Sequence, residues 1–98
     1  MSYEVIVRVK EVRGRCAAGY SEGDSFHIVG FCLEGSKICI HALSSMLTLL
    51  SPFMKGVKPE LLGIGSGDLG YVQCPDPGPP YTCGGTVIFE LERKKFLI

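Results

Sequence analysis

Tyr3, Val5, Val7 and Val9 alternate with Glu4, Ile6, Arg8 and Lys10, the period of a strand with one buried face and one mostly wet face. Val12 falls out of phase with Val9, so the spacing predicts that the strand ends, bulges or bends between Lys10 and Val12, before Gly14 permits a turn. Arg15 to Asp24 reads as a loop in which Gly19 and Gly23 supply backbone freedom. Ser25 to Val29 alternates again and predicts a second strand, able to pair antiparallel with the first.

Farther on, Ile38, Ile40, Leu43, Leu47 and Leu50 recur close to helical spacing, and Ser36 just before them can cap the free N–H groups of a first turn. Pro52 lacks a backbone donor, so the helix should kink there or end before it, with Gly56 as its latest stop. Leu61 to Gly85 is crowded with glycine and proline and predicts an ordered loop, broken by a short third strand around Tyr71 and Val72. Thr86 to Arg93 alternates, with Val87, Phe89 and Leu91 on one face and Ile88, Glu90 and Glu92 on the other. The order β-β-α-β-β implies an α+β fold, a small antiparallel or mixed sheet of three to four strands packed on one central helix.

A length of 98 residues suits one domain, residues 1–98, with one modest core. The formal net charge of zero supplies no long-range positive field, which argues against nucleic acid as a partner. No apolar run reaches the roughly 18 to 20 residues that span a bilayer, and Met1-Ser2-Tyr3-Glu4 lacks the pattern of a signal peptide. The expectation is a cytoplasmic protein without a membrane partner. Ile6 and Ile88 on the wet face, with the apolar tail Phe96-Leu97-Ile98, suggest a homo-oligomer contact.

Five cysteines, an odd number, and a high apolar fraction fit reduced thiols better than a disulfide scaffold. Cys16, Cys32, Cys39, Cys74 and Cys83 contain no C-x-x-C pair, so any shared site must be assembled by folding. Cys39, three residues after the expected cap, enters the helix where unpaired N–H groups and the helix dipole stabilise a thiolate. Without partners for the thiol, the reading as a small apolar residue packed beneath the sheet is favoured. His41 projects about 200 degrees around a helix from Cys39, which predicts different surroundings for the two. His27, between Phe26 and Ile28, should point away from the core as a solvated group.

In Cys74-Pro75-Asp76-Pro77-Gly78-Pro79-Pro80 the prolines hold a thiol and a carboxylate in a stiff loop, which suits either a pre-organised site or a plain turn between strands. Gly14 to Asp24 is similar, with Cys16 between glycines and Asp24 closing the turn as a candidate outer-shell or acid/base group, or as a purely structural acceptor. Gly65-Ser66-Gly67-Asp68-Leu69-Gly70 spells G-x-G-x-x-G. The dinucleotide fingerprint needs a helix after it, and Cys74-Pro75-Asp76-Pro77 allows none, so a flexible turn is the reading.

Together these segments resemble a family of small archaeal and bacterial proteins of about this length that has no agreed activity. Its pattern is G-x-C-x-x-G-[HY]-x-x-G-D, then a cysteine entering a central helix, then C-P-D-P before the last strand. The resemblance runs through Gly14 to Asp24, Cys39 with Ala42 and Pro52, and Cys74 to Pro77, and it selects Cys16, Cys39 and Cys74 from the five. Tyr20 stands where many relatives are expected to carry histidine, which removes one nitrogen from a Cys3His metal set. Two function classes follow. One is a thiol or metal site made by Cys16, Cys39 and Cys74 with Asp24 or Asp76, whose soft sulfurs would suit zinc or another thiophilic metal. The other is a binding or assembly module with structural cysteines and an apolar C-terminal contact. In neither does the sequence name a small-molecule ligand or assign Cys32 and Cys83.

Overall fold

The structure is a computed structural model and describes residues 2–35 and 37–96. Its elements are β1 (Ser2–Gly14), β2 (Ser25–Val29), β3 (Cys32–Glu34), α1 (Ile40–Met54), α2 (Pro59–Leu62), β4 (Gly65–Ser66), β5 (Leu69–Gln73) and β6 (Gly85–Phe96). The strands form one antiparallel six-stranded sheet, ordered β3-β2-β1-β6-β5-β4. The α+β class stands, while the expected three to four strands become six because two short ones, β3 and β4, extend the sheet at its edges. Neither is long enough to show a period of its own.

The long strands β1 and β6 pair down the middle of the sheet, and their register shifts between Val9 and Glu11. That is the bulge which the phase slip of Val12 predicts. It lets Val9 and Val12 serve the same apolar layer although an odd number of steps separates them. Val5, Val7, Val9, Phe26, Ile28, Val87, Phe89 and Leu91 are all buried on this layer. Against it α1 lays Ala42, Met46, Leu50 and Phe53, a stripe at helical spacing.

The helix starts later than the Ser36 reading implies. Its N-cap is Cys39, in an extended conformation and with no side-chain cap bond. The cause is tertiary: the Tyr20 hydroxyl donates to Lys37 O at 3.0 Å and accepts the Cys39 N–H at 2.8 Å, holding this stretch extended up to Cys39. Ser36 lies outside the described residues. Pro52 falls inside the last turn, and its carbonyl takes the N–H groups of Lys55 and Val57 at 3.1 Å as the helix ends. The end at Met54 lies within the window set by Pro52 and Gly56.

Beyond α1 the glycine-rich stretch is more ordered than a loop. The G-x-G-x-x-G residues form the β4–β5 hairpin, in which Gly65 faces Gly70 and a Cβ at Gly65 would collide with the Leu69 backbone. These glycines serve close strand approach and open no helix. Arg93 on β6 ties the region down. It is 7% exposed, its Nη1 donates to Phe53 O at 2.7 Å and Val57 O at 2.8 Å, and its Nε lies 3.3 Å from Asp68 Oδ1. The guanidinium also sits over the rings of Tyr3 and Phe53.

The other sheet face carries a ladder of charges. Arg8 pairs with Glu90 at 2.9 Å and Glu92 at 3.5 Å, and His27 Nδ1 lies 2.9 Å from Glu4 Oε2. Burial pushes the Glu90 carboxyl up, but the Tyr71 hydroxyl, Lys10 and Arg8 outweigh it and hold the group below its ordinary value. Ile6, paired with His27 and Glu92, is only 8% exposed among these side chains. It is therefore not available as the subunit contact expected from the strand pattern. Of the apolar tail, Leu97, Ile98 and the side chain of Phe96 lie outside what the structure describes.

Candidate thiol cavity

Three stretches remote in sequence meet at the N-terminal end of α1 and enclose a cavity of about 200 Å3. The loop after β1 brings Cys16, Ala17, Ala18 and Tyr20; the entry to α1 brings Cys39 and His41; the turn after β5 brings Cys74, Pro75 and Asp76. Gly85, Val87 and Phe89 of β6 form the floor. The cysteines that the motifs select thus share one pocket, while Cys32 and Cys83 are exposed and outside its lining.

Cys74 is the most enclosed of the three. Its backbone N–H bonds to Val87 O at 3.0 Å, its Sγ accepts the Val87 N–H at 3.3 Å, and the carbonyls of Asp76 and Gly85 lie within 3.8 Å of the sulfur. This thiol is built into the junction of β5 and β6. Cys16 and Cys39 are half-buried instead. The recorded polar contacts of both run through the backbone: Cys16 O accepts the Gly19 N–H at 3.0 Å, and Cys39 O accepts the Leu43 N–H at 3.0 Å.

Tyr20 holds the front of the cavity. Its ring meets Phe89 edge-on at 5.6 Å, and its hydroxyl joins the Lys37 carbonyl to the Cys39 N–H. Burial pushes the phenol above its ordinary value, the Cys39 N–H acts against this, and the neighbouring Cys39 and Cys16 thiols add to the rise. Both lone-pair and proton of the hydroxyl are committed, so Tyr20 positions the helix entry and is not a free acid. Lys37 reinforces the junction, donating to Gly19 O at 3.2 Å.

Asp76 lines the cavity, yet its carboxylate serves its own loop. Oδ1 accepts the Gly78 N–H at 2.8 Å and the Thr82 hydroxyl, and these bonds, Thr82 first, hold the carboxyl below its ordinary value. A Cβ at Gly84 would collide with this carboxylate, which explains a glycine there. Asp24 lies outside the lining. Its Oδ2 accepts the Ser21 N–H at 2.9 Å and stands 3.8 Å from Lys37 Nζ, the turn-closing arrangement that was the structural reading of the residue.

His41 departs from expectation, because it lines the same cavity as Cys39. The angle of about 200 degrees holds only between residues within one helix, and Cys39 precedes the first helical residue. Val87 and Phe89 were legible as core but not as cavity floor, since nothing in an alternating strand says where its covering helix stops short. Among the described residues, no three His, Cys, Asp or Glu side chains stand in an arrangement that could hold a metal ion. No helix of the described residues is long and apolar enough to cross a membrane. The chain matches no family model, no curated protein and no solved structure.

Proposed function

We propose that the cavity is a thiol site for a small, largely apolar molecule, with Cys16 and Cys39 as its reactive groups and Cys74 as a fixed part of its wall. The observation that supports this is the meeting of Cys16, Cys39 and Cys74 on one cavity while Cys32 and Cys83 stay outside it. The walls of alanine, proline, valine and phenylalanine favour an apolar body, and a volume near 200 Å3 limits its size. The chemistry available is nucleophilic: a thiolate adds across an activated carbon–carbon double bond or displaces a thiolate from a disulfide, and the His41 imidazole on the same cavity can take the thiol proton and return it to the adduct carbon or the leaving sulfur. Such thiols require a reducing compartment, so the reading places the protein in the cytoplasm.

Alkylation of the folded protein followed by peptide mass mapping tests it. Cys32 and Cys83 should react with a small uncharged maleimide and a bulky charged one alike. Cys16 and Cys39 should react with the small uncharged reagent only, and Cys74 only after unfolding. Equal labelling of all five thiols by both reagents, or inert Cys16 and Cys39, would remove the proposal. Zinc or another thiophilic metal would need the same sulfurs to converge, and among the described residues they do not stand in an arrangement that could hold one. Elemental analysis of protein purified without chelator, compared with Cys74→Ser, decides between them: one equivalent of metal per chain, lost in the variant, replaces the present reading.

A further inference from the structure

A second apolar surface runs along α1 outside the cavity lining. Ile40, Leu43, Leu47 and Met54 form a second apolar stripe on the helix. Part of it, with Ile28, Phe31 and Leu33, lines a groove of about 320 Å3 between α1 and the β2–β3 hairpin. Three of the groove's apolar side chains are open to solvent, Phe31 at 93%, Leu47 at 47% and Leu33 at 41% exposed, and Ile40, on the same helix stripe but outside the groove lining, is 72% exposed. A monomer rarely leaves so much apolar surface in one place without use.

The groove borders a free sheet edge. β3 is the outermost strand, and among the described residues no strand neighbours its outward N–H and C=O groups. β3 is short, at three residues, and carries one charge, Glu34, but no proline, lysine or bulge blocks its edge. The opposite edge, β4, has only two residues.

We infer that the chain forms a two-fold dimer in which β3 pairs antiparallel with β3 of a second copy, continuing the sheet across the axis. The occupant is a second copy because the surface is complementary to itself. A two-fold axis at Leu33 sets Leu33 against its own counterpart and exchanges the strand ends. Phe31 of each copy then lies beside Gly35 of the other, from which the chain runs on to Ile40 and the start of α1. Phe31 and Ile40, the most exposed of these four side chains, thereby approach each other across the axis. The four exposed side chains amount to on the order of 500 Å2 per copy, so the pair covers about 1,000 Å2, the range in which specific interfaces begin. A net charge of zero removes long-range repulsion between copies.

Light scattering with size exclusion should give the dimer mass for the full chain at micromolar concentration, and the monomer mass for Phe31→Asp. Because Phe31 is almost wholly exposed, that variant keeps the wild-type circular dichroism spectrum, which separates lost assembly from lost folding. The register has its own test. In a chain with Cys32→Ser and Cys83→Ser, the further change Leu33→Cys should cross-link copies under mild oxidation. A monomeric wild type, a Phe31→Asp dimer, or failure of Leu33→Cys to cross-link would overturn the inference.

Discussion

At the C-terminal end of α1, Arg93 spends its donors on Phe53 O, Val57 O and Asp68 and lies over two aromatic rings, so a buried charge becomes a clamp among the helix end, the β4–β5 turn and β6. At the N-terminal end the side chains with chemical capacity, Cys16, Cys39 and His41, face a cavity. Among the described residues the polar bonds there belong to Tyr20 and to the loops that carry the thiols. Both ends hold polar groups against the same apolar layer. What separates them is whether those groups are used up by the fold, and on the proposed reading the end that leaves thiols to spare is the one that carries the site.

The sharpest way to break this contrast is to remove the clamp. Arg93→Ala strands the carbonyls of Phe53 and Val57 and should cost about 3 to 5 kcal/mol in urea unfolding. Little of that comes from Asp68, whose carboxylate is 69% exposed. Below the unfolding transition the alkylation pattern of Cys16 and Cys39 should stay as in the wild type, because distant sites act independently. A loss below about 1 kcal/mol would show that Arg93 is an ordinary surface residue.

Tyr20→Phe tests the other end. It keeps the ring on Phe89 but leaves the Cys39 N–H without its acceptor, for an expected loss of about 1 to 2 kcal/mol and faster alkylation of Cys39. The pH dependence follows from burial, which raises the phenol in the folded state. Above the usual tyrosine value near 10 the unfolded chain loses this proton first, so the wild type loses stability as pH rises from there toward the folded value. The gap between wild type and Tyr20→Phe, measured in urea from pH 8 to 11, should therefore narrow at the alkaline end. A constant gap would mean that the hydroxyl is not buried at the helix entry.

The contrast also sorts what the amino-acid order discloses. Alternation in β1 and β6 reveals both central strands, and even the bulge, because each residue's face depends on its neighbours along the chain. The helix start could not be found that way, since it depends on Tyr20 reaching Lys37 and Cys39 across the fold. The resemblance picks out Cys16, Cys39 and Cys74, and their meeting at one cavity is a property of the sheet order. Arg93 looked like one more charge at the end of an alternating strand, because its acceptors are backbone carbonyls and these leave no mark in side-chain identity. The exposed groove was hidden for a related reason: three residues of β3 are too few to show a period.

The smallest effect is expected at Asp76, which belongs to the cavity by position and to its loop by bonding. Asp76→Asn keeps an oxygen for the Gly78 N–H and the Thr82 hydroxyl but removes the negative charge that strengthens both bonds. The folded carboxyl lies below its ordinary value, so its contribution is present at neutral pH and is lost as pH falls through that depressed value. Amide exchange at Gly78 should be faster in the variant at neutral pH, and the difference from wild type should vanish in acid. If Asp76 acted on a bound molecule instead, Asp76→Asn would alter alkylation of Cys16 and Cys39 while leaving Gly78 exchange untouched. The carboxylate would then count among the cavity's reactive groups, and the division between spent and spare polar groups at this end of α1 would have to be redrawn.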